Sequence, residues 1–581
     1  MIEKINLASV NNNAPKRDNH KQKGQQQSFT GLADGAIWLV QQCERQPMVN
    51  VTFLDMSTAI VPRTVIETKE SNGYAGFEAF RRESSGLVVN CLIPGFIVAG
   101  LAKLMQRPIM GLFNKSNLAN TWANEDGIHK INDFYGKHIG NTGLSQRERI
   151  YNTFRDELGS LVGVDGHETK DFADIFNIAH DKDGNLIGKI GNKKLHNAVN
   201  ELTDAVLSND YESKKVKAAY RAIVDETHIA ENIRFKADKS FFSNNLESVC
   251  ADTVKMLRGT IKEGITDSKT LTEYCKKAVK LVNWKSIGGL GVIIPLAISM
   301  QPINRWITHK TSGQKGAPIY KDFGKDNEHK EMTPKEKAEL LAQKFISIGS
   351  MIGVCGLSMF MDRPVMKNIF QFKGIFPTMD QARIISTATF ASRMGASEDR
   401  NELREATVRD IATFSSFYFL GDYVAKGIAT FLEKKNPGTH LINRLKETDP
   451  NANPLQKFWN WAKHTSLKSS DELGTIKDKR LRTLCQVGNI VFSLLSLGLF
   501  IPLYTRSKTN KKRAEELAKL NAEKGAGSTT SSQTSSSATS EKEVSSATQN
   551  AGTKYDFSRN RLQDNKTFKA CLLYTSPSPR D

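Results

Sequence analysis

Seven cysteines in 581 residues form no Cys-x-x-Cys pair, so neither a zinc ribbon nor a disulfide framework is indicated. No Gly-x-x-x-x-Gly-Lys-Ser/Thr occurs; "GNLIGKI" (184–190) has the wrong glycine spacing and no hydroxyl to hold Mg²⁺. His-Glu-x-x-His and Gly-x-Ser-x-Gly are missing too, which removes the zinc-peptidase and serine-hydrolase signatures. The first thirty residues, with "NNNAPKRDNHKQKGQQQ", lack an apolar h-region, so no signal peptide is expected and disorder is. Hydrophobic residues make up 39%, below the roughly 45–50% of globular chains. With a mean hydropathy of −0.42, this excludes a compact transporter made almost wholly of membrane helices. The net charge of +19 excludes an acidic, solvating chain. No cofactor motif is found.

Present instead are a few intensely apolar runs set in polar sequence. Run 86–105 is uncharged from Gly86 to Ala102 and continues through Leu104 and Met105. Runs 286–304, 345–361 and 483–505 are uncharged throughout. A membrane-spanning helix needs about 20 mostly apolar residues, so all four qualify. A fifth stretch, 411–432, carries Asp422 and Lys426 and reads as a helix buried in protein, because an intramembrane Asp is costly. Pro94, Pro295 and Pro302 leave a second geometry open, in which shallow hairpins enter and leave one leaflet. Spanning is the favoured reading.

The runs repeat. At a constant offset of 256, seven of thirteen positions from Val98 to Met110 are identical, among them Gly100 with Gly356, Arg107 with Arg363 and Pro108 with Pro364. Unrelated apolar sequence would give about one or two matches. A weaker pair aligns Leu290, Gly291, Ile294, Pro295 and Leu296 with Leu497, Gly498, Ile501, Pro502 and Leu503. Internal duplication in the order A, B, A, B is one reading; convergence on Gly and Pro, both common in membrane helices, is the other.

Between the first two runs, "NAVNELTDAVLSND" and "SKKVKAAYRAIVDE" space their apolar residues by three and four, as amphipathic helices do. The expected organisation is therefore a disordered 1–30, an N-terminal segment 31–115 and a soluble helical domain 116–281. Apolar runs 286–304 and 345–361 follow within 282–366, then a helical region 367–482 and the last transmembrane helix 483–505. A basic and then Ser/Thr-rich tail, 506–570, closes the chain. "VNVTFL" (49–54) reads as extended. Basic residues flank nearly every run on both sides, so the positive-inside rule gives no orientation. The densest cluster, Arg506, Lys508, Lys511, Lys512 and Arg513, fits anionic lipid headgroups and a cytoplasmic side. Positive charge is not interleaved with aromatics along a stripe, so nucleic acid is not an expected partner.

Chemistry-bearing candidates are few. "DKDGN" (181–185) resembles part of a calcium loop, but Ala179 and Ile190 fall where the first and last carboxylates belong. "IAHDKDGNLIGKI" resembles the His-Asp doublet of HD metal phosphohydrolases, with His180 and Asp181 as weak metal-ligand candidates. That resemblance requires a further His (His129, His138 or His167) and a downstream Asp (Asp204 or Asp225), and the intervening turn departs from the family pattern. His129 and Asp133 share a helix face without an assignable third ligand. A transport path would need intramembrane polar groups, for which Asn90, Asn283 and Asp422 are the candidates.

"FTGLADGAIW" and "FRRESSGLVVNCLIPGF" (80–96) resemble uncharacterised polytopic membrane proteins of gut bacteria, which implies a bacterial inner membrane and no particular activity. Residues 571–581, "CLLYTSPSPRD", resemble the translated read-through of a sequencing adapter, so the chain is read as far as about Ala570. The expectation is a mainly α, helical integral membrane protein with a soluble helical domain and disordered termini. Its expected role is a non-enzymatic membrane scaffold or interaction protein with partners not identifiable from sequence. A transporter or channel built on the duplication is the alternative, and an HD-type phosphohydrolase a distant third.

Overall fold

A computed structural model describes residues 39–44, 46–70, 73–105, 123–208, 213–238, 245–312, 332–361, 371–372, 376–446 and 451–505, with single residues between 507 and 518. The terminal tracts 1–30 and 519–581 lie outside the described residues, as do Arg107, Pro108, Arg363, Pro364, Arg506, Lys512 and Arg513. Two units divide the chain, Met1–Lys512 and Arg513–Asp581, and all that follows concerns the first.

The fold is mainly helical. Helix α1 covers 47–70 and α2 Gly73–Met105. A folded domain follows, with α3 (Glu125–Ile139), α4 (Gln146–Gly159), β1 (Leu161–Asp165), β2 (Glu168–Asp171) and α5 (Phe172–Phe176). It continues through β3 (Ala179–His180), β4 (Leu186–Ile187), α6 (Lys193–Leu207), α7 (Ser213–Thr227), β5 (Ile233–Phe235) and α8 (Leu246–Lys262). The remaining elements are α9 (Ser268–Ser312), α10 (Pro334–Met361), α11 (Met379–Ala396), α12 (400–435), β6 (Ile442–Arg444), α13 (Pro454–His464), β7 (Thr465–Leu467) and α14 (Ile476–Thr505).

In the domain, apolar residues at helical spacing meet in one core. Ile128, Ile131, Phe154, Leu158, Leu195, Leu202, Ile223 and Leu257 are fully buried there. Helix starts are fixed by side chains: Ser145 and Glu148 form a capping box on α4, and Asn192 and Asn245 cap α6 and α8. The sheet runs β2-β1-β5, all antiparallel, with Val162 opposite Asp171 and Arg234. Gly166, at φ 67, sits first in the two-residue β1–β2 turn, where a left-handed backbone favours glycine.

The other helices form a bundle of alternating direction. Four of its members, α2, α9, α10 and α14, are long and apolar enough to cross a membrane. They contain all four apolar runs. Helices α2 and α9 pass through Pro94, Pro295 and Pro302 without reversing, so the shallow-hairpin geometry is not adopted. One end of the bundle is tied by Tyr74 to Thr311 (2.7 Å), Arg81 to Thr308 (2.9 Å), Lys344 to the Gly395 carbonyl (2.9 Å) and Arg305 to Glu398 (3.2 Å). Its other end meets the domain. There Met105 packs on the domain core, and Gln371 bridges Asn283 (2.9 Å) and Glu125 (2.8 Å).

Several expectations are corrected. Val49–Leu54 is helical, not extended: Pro47 starts the helix, and Met48, Val51 and Leu54, three apart, are buried on one face. Region 367–482 divides between two parts of the fold. Helices α11 and α12 belong to the bundle, whereas the segment carrying β6 and β7 lies on the domain. There the Arg444 N–H bonds the Gly166 carbonyl (2.8 Å), and Glu472 accepts from the N–H groups of Ala230 (2.9 Å) and Glu231 (3.0 Å). The two A runs have unlike surroundings. The first lies in α2 against α9, with Val98 filling the space at Gly289; the second lies in α10 against α11 and α12. Of the second pair, a side chain at Gly498 would meet the Thr58 carbonyl, while Gly291 faces open space. The sequence repeat is therefore not repeated in packing.

Candidate functional site: a polar cavity inside the bundle

Four stretches of π-helix occur among the described residues: 55–60 in α1, 88–92 in α2, 416–420 in α12 and 494–500 in α14. Three have a covalent cause. Pro62, Pro94 and Pro502 lack the N–H that would bond the carbonyls of Thr58, Asn90 and Gly498, each inside a π stretch. The residue before each proline bonds five back instead: Val61 to Met56, Ile93 to Val88, and Ile501 to Ser496. The fourth stretch has no proline; there the Arg383 guanidinium takes the Tyr418 carbonyl at 3.0 Å. Such bulges are frequent at functional sites. The stretches 55–60, 88–92 and 416–420 line one cavity, and 494–500 packs against 55–60.

The cavity lies between α1, α2, α11 and α12, and its roughly 30 Å³ would take about two water molecules. Its wall carries a chain of buried charges. Glu83 sits between Arg63 (3.3 Å) and Arg393 (3.3 Å). Arg393 also reaches Asp410 at 2.9 Å, which in turn meets Arg409 at 3.2 Å. Asp55 completes the ionisable lining. Neutral polar pairs extend it: Thr389 donates to Asn90 (2.8 Å), and the hydroxyls of Ser386 and Tyr418 lie 2.8 Å apart. Arg63 Nε, Arg393 Nε and Asp410 Oδ2 have no hydrogen-bond partner among the described residues.

Chemically the cavity can hold a proton or a small ion among paired charges. It has no histidine, and its one thiol, Cys91, is buried among apolar neighbours.

The structure distributes the candidates from sequence widely. Asn90 lines the cavity. Asn283 lies instead at the junction with the domain, bonded to Gln371 and Glu125, and Asp422 is exposed on α12. His180 is exposed on the β3–β4 hairpin. Asp181 spends its carboxylate on its own turn, accepting from the N–H groups of Asp183 (2.9 Å) and Asn185 (2.7 Å). No group of three or more His, Cys, Asp or Glu that could hold a metal forms among the described residues, so the HD arrangement is not assembled there. His129 turns toward Glu125 (3.7 Å). Gly100 and Gly356 face open space, and Lys508 stacks on Tyr504. Lys511 is exposed.

Sequence reasoning missed Asp55, Arg63, Glu83, Arg393 and Asp410. One signal was there to find. Arg383, Ser386, Thr389 and Arg393 recur at three- and four-residue steps, a polar stripe that α11 turns wholly inward.

No protein-family model, curated protein or solved structure matches the chain.

Proposed function

We propose that this is a non-enzymatic scaffold embedded in a membrane, in which the bundle sits in lipid and carries the 123–282 domain on one face. The observation that carries the reading is α9. Its 45 residues form one helix of about 68 Å. Leu271, Cys275, Ala278 and Leu281 belong to the domain core, while Leu290, Ile293 and Ala297 belong to the bundle. A shared helix fixes the height and orientation of the domain, as a scaffold requires and a flexible tether would not. Trp284 and Trp306, both exposed on α9, are twenty-two residues apart, about 33 Å, which suits the two interfaces of a bilayer. A bacterial inner membrane, with the basic residues after α14 on the cytoplasmic side, completes the proposal.

A second reading, an ion or proton path, is favoured by the polar cavity and by the expense of ionisable groups at membrane depth. Flux measurements on purified protein in vesicles separate the two. The scaffold reading expects proton and chloride leak equal to that of empty vesicles. A flux that disappears in Glu83→Gln would replace it with transport.

A further inference from the structure

Helix α13 lies apart from the bundle interior, and its amphipathic face is only half used. Asn453 and Gln456 form a capping box at its start, with Pro454 in the first turn, so the helix is fixed in place locally. Leu455, Phe458, Trp459 and Ala462 share one face by their i, i+3, i+4, i+7 spacing. The C-terminal part of the helix is seated on the protein: Ala462 is buried, and Trp461 Nε1 donates to Thr430 on α12 at 3.1 Å. The N-terminal part of the apolar face is not. Leu455 is 75% exposed, Phe458 58% and Trp459 40%.

What lies beside this open face identifies its occupant. Lys463 Nζ sits 4.1 Å over the ring of Phe360, in the last turn of α10, at the domain end of the bundle. Phe360 and Phe431 are themselves exposed, so the open face of α13 continues the apolar outer surface of the long helices. Lys463 carries positive charge beside that surface, and Lys457 carries it on the opposite, polar side of α13. Aromatic side chains with lysines alongside are the composition of a helix lying in the interface, its lysines reaching up to the headgroups.

We propose that α13 is an interfacial helix, with Leu455, Phe458 and Trp459 inserted among lipid headgroups and upper acyl chains on the domain side of the bilayer. It holds the segment 436–475, and through it the underside of the domain, against the membrane. This rests on the membrane reading of the bundle.

The test is nitroxide accessibility of the full chain in vesicles of three parts phosphatidylcholine to one part phosphatidylglycerol. The six native cysteines of the described residues are buried, so a Cys571→Ser background leaves an introduced thiol as the labelling site. Labels go at Leu455→Cys, at Ile352→Cys on the exposed flank of α10, and at Asn141→Cys on the domain as a water reference. The proposal expects Leu455→Cys to be more accessible to oxygen than to a water-soluble nickel complex, at a depth of about 5–10 Å. Nickel access equal to that of Asn141→Cys would overturn it, provided Ile352→Cys reads as lipid-exposed. Exclusion of both reagents at Leu455→Cys would overturn it too, by showing a protein partner or second copy on that face. Nickel access at Ile352→Cys as well would instead bring down the membrane reading itself.

Discussion

The domain and the bundle place the same kinds of side chain differently. In the domain, Phe154, Phe172 and Phe176 are inside, while charged pairs such as Arg147–Asp204 lie half-exposed at the rim. In the bundle, Arg393 and Asp410 are inside, and Phe96, Phe345 and Phe500 each leave about two thirds of their surface uncovered. Exposed apolar surface on this scale marks an interaction surface or a membrane in a soluble protein's terms. Placed in lipid it costs nothing, and the strain moves to the interior, where every charge must find its counter-charge within the protein.

The difference can be broken most forcefully at Arg393. Arg393→Leu leaves Glu83 and Asp410 short of a partner and is expected to cost about 3–5 kcal/mol, read as a large fall in thermal stability in detergent. The exposed control, Arg147→Ala in the domain, should cost at most about 1 kcal/mol. Equal effects would mean that the bundle interior is wet.

Aromatic residues should behave in the opposite sense. Phe154→Ala empties a fully buried site in the domain and should cost about 3–5 kcal/mol. Phe500→Ala, on the outer face of α14, should leave stability within about 0.5 kcal/mol. Urea unfolding of purified protein, followed by hydrogen exchange in each region, compares them.

Titration sharpens the contrast further. Burial pushes the Glu157 carboxyl in the domain up to about 8, with nearby Asp252 adding to the rise and the Thr253 hydroxyl opposing it. The folded state therefore holds this proton more tightly than the unfolded chain does. Its contribution is fully present below about pH 4.5 and is lost as the pH climbs toward 8, at up to about 1.4 kcal/mol per pH unit. Between pH 5 and 8 the domain should lose protection against exchange, and Glu157→Gln should flatten that slope. A smaller effect is expected at the helix start: Ser145→Ala removes half of a capping box and should cost about 1 kcal/mol.

Legibility followed the same division. Apolar runs could be found because a charge-free stretch of twenty residues is a local property. The amphipathic helices α6 and α7 were visible for a similar reason, since their period is written in consecutive residues. The helical character of 367–482, with a helix over 411–432, was legible, but the inward charges were not, because Arg63, Arg383, Arg393 and Asp410 are brought together only by the fold. For Val49–Leu54, β-branched residues gave the wrong local preference and tertiary burial overrode it. Pro94, Pro295 and Pro302 were read as possible hairpin bends, whereas each lies within a continuing helix, and Pro94 widens one turn of it.

The central claim is that the long helices cross a bilayer with the domain on one side. Single cysteines at Asn141, Asn451, Lys335 and Lys511, each exposed, test it in intact cells and inverted vesicles labelled with a membrane-impermeant maleimide. The account predicts that Asn141→Cys and Asn451→Cys react from one side and Lys335→Cys and Lys511→Cys from the other. Labelling of all four from the same side would contradict it.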